Sequence, residues 1–154
     1  MTLLRLSVSS GVVSNVKFVA VFVALLAVGA ACSGPRKESL IESLREYNDG
    51  VRWGRTDWSI DYLPKEKQAP LLNRWATLSD LRITGYIFTS LQMEGSERAV
   101  ATVQINWYSQ SQMRVHSSVV QQVWVWVKGE KWQLKDQRWV SGAPFPLLDS
   151  PPAS

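Results

Sequence analysis

The chain has 154 residues, a formal charge of +4, 45% hydrophobic residues and 19% charged residues. This excludes a disordered chain and a multi-span membrane protein, and the length allows one ordinary domain. Arg5 and Lys17 are the only charges in the first 31 residues, and beyond them 15 basic and 13 acidic residues remain, too even a balance to argue for nucleic acid. One Cys excludes an intramolecular disulfide, and one His with one Cys excludes the usual zinc sites. There is no phosphate-cradling glycine loop, nucleophile elbow or metal-ligand spacing, so neither cofactor nor metal is expected.

Phe18 to Ala31 is an uncharged apolar run of 14 residues. A bilayer-spanning helix needs about 20 such residues, whereas the core of an export signal has about 7–15. Arg5 and Lys17 put positive charge ahead of the run, and Gly29, Ala30 and Ala31 put small residues before a cleavage point. The next residue is Cys32, the only cysteine. The arrangement resembles a bacterial lipoprotein signal, with Gly29 where that signal usually has Leu. The resemblance implies that residues 1–31 are a removed signal peptide and that Cys32 becomes a lipidated N-terminus. The lipid would hold the protein to the membrane at the cell envelope, on the outer membrane facing the periplasm, with stable anchoring supplied by several acyl chains. Cleavage without lipidation would leave a soluble periplasmic protein. Residues 32–37 read as a short tether, because Ser33, Gly34 and Pro35 have turn chemistry.

From residue 38 the spacing predicts an amphipathic helix to Trp53, with Leu40, Leu44, Tyr47 and Val51 on one face and Ile41 beside them. Thr56 and Asp57 read as the N-cap of a short helix through Trp58, Ile60 and Leu63. A third helix, about 65–78, aligns Leu71, Leu72, Trp75 and Leu78, with Pro70 placing its regular start nearby. From Leu81 the period becomes two, with Leu81, Ile83, Ile87 and Leu91 on one face. A turn at 94–97 leads to a strand whose face is Ala99, Ala101, Val103, Ile105 and Trp107. The strand from Val115 to Val127 carries Val119, Val123, Val125 and Val127 on one face, and His116, Val120, Gln122, Trp124 and Trp126 on the other. Both faces are apolar, so both are expected to be covered, one by helices and one by a partner chain, as a homodimer or with an envelope protein. Lys128 to Glu130 reads as a hairpin into Trp132, Leu134 and Trp139. The expectation is an α+β domain over 38–140, its N-terminal helices packed on a curved antiparallel sheet of about four strands. Residues 141–154 form a Pro-rich tail expected to be partly disordered.

This order, with the stretches YNDGVRWGRTDWSIDYL (47–63), LRITGY (81–86) and INWY (105–108) and the strand pair from Val120 to Trp132, resembles the nuclear-transport-factor-two-like, or cystatin-like cone, superfamily. The likeness is to its small envelope lipoproteins. It implies a sheet wrapped round the first helix as a cone with a pocket at its open end. It does not imply a reaction, since the scaffold hosts isomerases, SnoaL-like cyclases and binding modules. Its enzymes commonly use an Asp with a His or Tyr inside the cone.

His116, the only histidine, is the first candidate for a general base at neutral pH. Asp57 and Asp61, four apart beside Trp58 and Tyr62, are candidates for paired carboxylate chemistry, against a capping and solvated role. Asp80 reads as a turn residue, and Arg52, Arg55, Lys65 and Lys67 as a modest basic cluster. All eight tryptophans follow residue 52, and they read chiefly as core, with Trp107, Trp124, Trp126 and Tyr62 as pocket or interface candidates. The pattern points to a non-catalytic binding or accessory module. The alternative is an isomerase or cyclase-type enzyme using His116 with an acid.

Overall fold

The computed structural model describes residues 34–127 and 131–148. The expectations placed on the signal peptide, on Cys32, on the 128–130 hairpin and on residues 149–154 lie outside them. Three helices precede four strands: α1 (Gly34–Trp53), α2 (Thr56–Ile60), α3 (Lys65–Thr77), β1 (Leu81–Met93), β2 (Arg98–Ser109), β3 (Val115–Val127) and β4 (Lys131–Gly142). The strands pair antiparallel in the order β1-β2-β3-β4, forming a curved sheet that does not close, so the α+β architecture is as expected.

Leu40, Leu44, Tyr47 and Val51 are all buried, as the helical spacing requires. The helix nevertheless starts at Gly34, so the expected tether contributes its first turn. A proline is compatible with a first turn, where the backbone N–H has no intrahelical acceptor. The N-cap of α2 is Arg55 and no side chain caps it; Asp57 sits in the first turn and Thr56 is the first helical residue. Pro70 lies inside a continuous α3 rather than at its start. Leu71 is buried on that helix, but Leu72 faces out.

The sheet's curvature comes from its outer strands. Pairing between β2 and β3 runs without a break. In β1 the register skips Thr84 and Thr89, and in β4 it skips Lys135 and Val140. Each skipped residue is a bulge, which bends its strand and reverses the alternation beyond it. The Thr84 hydroxyl donates to the Asn106 carbonyl at 3.1 Å and that of Thr89 to the Thr102 carbonyl at 3.2 Å, so both bulges bond to β2. Leu81 and Ile83 therefore point inward, Tyr86 and Phe88 take over after the first bulge, and Leu91 and Met93 after the second. Ile87, expected inside, is 58% exposed.

Beyond β4 the chain folds back instead of leaving. Gly142 turns it at a φ of 79°, and Ala143 N–H donates to Ser117 O at 2.9 Å. Phe145 and Leu147 then enter the core, so the domain extends past residue 140 to at least Leu148. The reason is apolar burial, which outweighs the turn-forming prolines 144 and 146 on either side of Phe145.

Gly50 is buried where α1 meets α2. A methyl group there would collide with the Ser59 hydroxyl and sit 3.1 Å from the Arg55 carbonyl. Ser59 is itself fully buried and donates to Tyr47 O at 3.3 Å, so it has little room to yield. Gly50→Ala is expected to destabilise the fold by about 1–3 kcal/mol despite its better helix propensity, seen as a lower urea midpoint at unchanged m-value.

Candidate functional site

The inner face of the sheet and the stripe of α1 meet around a polar centre. Asn48 and Gln122 are 2% and 1% exposed. Their amides bond reciprocally: Gln122 Nε2 donates to Asn48 Oδ1 at 3.0 Å, and Asn48 Nδ2 donates to Gln122 Oε1 at 3.3 Å and to Leu44 O at 2.7 Å. The Trp124 indole N–H also reaches Gln122 Oε1, at 3.4 Å. Next to this pair, the Tyr47 hydroxyl donates to Gln137 Oε1 at 3.2 Å, and burial raises its pKa far above the ordinary tyrosine range. The space left among Tyr47, Asn48, Gln122, Gln137, Phe145 and Leu147 is about 10 Å³, room for one water at most. The space beside the amide pair is therefore filled, in part by Phe145 and Leu147 from the segment expected to be a free tail, and a pocket of about 280 Å³ remains between α3 and β4, lined by Leu63, Leu71, Leu134, Asp136 and Leu147.

The tryptophans divide accordingly. Trp107, Trp124 and Trp132 are buried in the core. Their inward phase on β2 and β3 accounts for this. Trp126, partly buried, packs edge-on against Trp132 at 5.6 Å and carries the Arg36 guanidinium 5.4 Å over its ring. The opposite face of β3 is not covered by the described chain: Val119, Val123 and Val125 are half-buried and Val127 is 40% exposed.

His116 stacks on Trp107, its opposite residue on β2, with ring centres 4.6 Å apart. No carboxylate among the described residues hydrogen-bonds to it. Asp80, just before β1, is occupied by the Ser109 and Ser111 hydroxyls, which hold its carboxyl below the usual range. Asp57 binds the Arg55 guanidinium at 3.4 Å, and that bond lowers its pKa. The basic cluster is divided: Arg52 and Arg55 lie over Trp53 and Trp58 at 4.7 and 4.3 Å, while Lys67 pairs with Asp136 at 3.0 Å.

Asp57, Asp61 and Tyr62 do come together, at the surface. With Ser43 and Glu46 of α1, Trp58 of α2 and Lys131 of β4, they line a depression of about 480 Å³. Tyr62 donates to Glu46, and burial followed by that bond raises its pKa far above the usual value. Its ring rests edge-on against Trp124, 5.9 Å away, tying the depression to the core. Lys131 Nζ donates to the Asp61 carbonyl at 3.0 Å. Sequence reasoning missed Glu46, Ser43 and Lys131, which are separated by up to 88 positions along the chain. Among the described residues no three potential ligands group to hold a metal, and no helix is long and apolar enough to cross a membrane.

No family model, curated protein or solved structure matches the chain. The site must be read from its own geometry.

Asn48→Leu and Gln122→Leu each orphan a buried amide and are expected to cost about 1–3 kcal/mol in urea unfolding. The double variant should cost less than the sum, because neither amide remains to be stranded. Tyr86 donates to Asp49 at 2.9 Å, and burial, then that carboxylate, pushes its pKa from 10.0 up to about 12. The folded state thus holds the phenol proton more tightly than the unfolded state. Stability is full below pH 10 and falls as the pH rises toward 12, and Tyr86→Phe should make the fall shallower in a pH series of unfolding midpoints.

Proposed function

We propose that the chain is an envelope-tethered, non-catalytic binding module, exported by residues 1–31 and lipidated on Cys32. The observation that carries the binding reading is the depression of Glu46, Asp57, Trp58, Asp61, Tyr62 and Lys131, a concavity that presents an exposed aromatic ring beside polar groups. The tethering reading is supported by the apolar run of 14 residues ending directly before the only cysteine. Outer-membrane attachment facing the periplasm belongs to the same proposal, as does membership of the cone superfamily, with which helices preceding a curved four-stranded sheet are consistent.

Against an isomerase or cyclase working through His116 stand two positive contacts. The imidazole is stacked on Trp107, and Asp57, one of the candidate acids, is bound to Arg55. A general base needs the proton it abstracts within hydrogen-bond reach, and the interior space beside the Asn48–Gln122 pair holds only about 10 Å³.

Cells fed an alkyne palmitate analogue should incorporate it into the wild-type chain and lose it completely in Cys32→Ala. Labelling that persists in the variant contradicts the lipoprotein reading.

A further inference from the structure

We propose that the depression between α1, α2 and the start of β4 is a saccharide site that seats a pyranose ring against Trp58. This rests on the reading of the domain as a binding module and names the ligand class. The volume of about 480 Å³ suits a mono- or disaccharide. Trp58 is 45% exposed, and the Arg55 guanidinium 4.3 Å over its ring holds the indole in place. A rigid indole offers a flat apolar surface to the C–H face of a sugar ring at little entropy cost.

The polar lining then decides among ligands. Two of its three carboxylates are already engaged, Glu46 by the Tyr62 hydroxyl and Asp57 by Arg55. Lys131 spends one donor on the Asp61 carbonyl and keeps two. The hydroxyls of Ser43 and Tyr62 donate to Ser39 O and to Glu46 and also contact each other, so they form a continuous hydroxyl surface with acceptor capacity remaining. Lys131 inside the depression and Arg55 on Asp57 offset two of its three carboxylate charges, which works against a cationic ligand. A neutral polyhydroxyl ring, in which each O–H both donates and accepts, needs the mixture present here: carboxylate and hydroxyl acceptors, an amine donor and an aromatic wall.

The test is the 15N-indole NMR spectrum of the full chain, purified in a detergent without a sugar headgroup and titrated with cellobiose, chitobiose, maltose and spermidine. The expected result is a saturable shift of the Trp58 signal with at least one disaccharide. Trp58→Ala assigns the signal by its loss, and the affinity read from the Trp58 shift should fall about tenfold in Asp61→Ala, which removes an exposed acceptor at no cost to the core. Trp53→Ala, at an exposed ring that does not line the depression, should leave the shift intact. A Trp58 shift with spermidine and none with the sugars overturns the saccharide assignment but leaves a binding module standing. No shift with any probe overturns the site itself. Palmitate labelling at Cys32 is independent of all these outcomes, so the tether and the ligand fail separately.

Discussion

The reciprocal amide pair between Asn48 and Gln122 is the contact on which the rest of the domain depends. It joins the stripe of α1 to the middle of β3, where an unpaired polar group would be costly. Pairing both amides fixes the rotation and the axial position of the helix on the sheet. With Asn48 held, Leu44 and Val51 face the same core, Tyr47 reaches Gln137 on β4, and Asp49 reaches Tyr86 on β1. One helix is thereby tied to three of the four strands. The curvature that lets the sheet follow the helix comes from the bulges at Thr84, Thr89, Lys135 and Val140, all in the outer strands.

That arrangement pushes function outward. Once Phe145 and Leu147 close the space beside the amide pair, little volume is left there, and a concave surface that presents an exposed aromatic ring beside polar groups lies between α1, α2 and β4. Tyr62 links the two regions, since its ring touches Trp124 in the core while its hydroxyl holds Glu46 at the surface. The depression therefore combines residues of α1, α2 and β4 with the Asp61–Tyr62 turn, which the Tyr62 ring anchors to the core.

Periodicity makes much of this fold legible. The burial of Leu40, Leu44, Tyr47 and Val51 and of the alternating face from Ala99 to Trp107 follows directly from spacings of four and two. What periodicity misses has physical causes. A bulge resets the alternation without any loss of β-forming residues, so Ile87 is in phase with Leu81 along the sequence and out of phase in the sheet. The helix begins early because a proline is as compatible with a first turn as with a tether. Phe145 and Leu147 lie among prolines and resemble a tail, yet their apolar side chains have a core to enter. Asn48 carries a signal of its own, an amide four residues after Leu44 within a buried stripe. For the candidate site, Asp57, Asp61 and Tyr62 are neighbours in the sequence, but Glu46 and Lys131 meet them only through tertiary structure.

The central claim is a closed interior with the binding surface outside it, and indole hydrogen exchange tests it most directly. The Trp124 and Trp132 indole N–H groups, on fully buried rings and bonded to Gln122 Oε1 and Arg36 O, should exchange only with global unfolding. Those of the exposed Trp53 and Trp58 should exchange at rates near those of a free peptide. Fast exchange at Trp124 under native conditions would mean that the interior opens to solvent, and it would contradict the account.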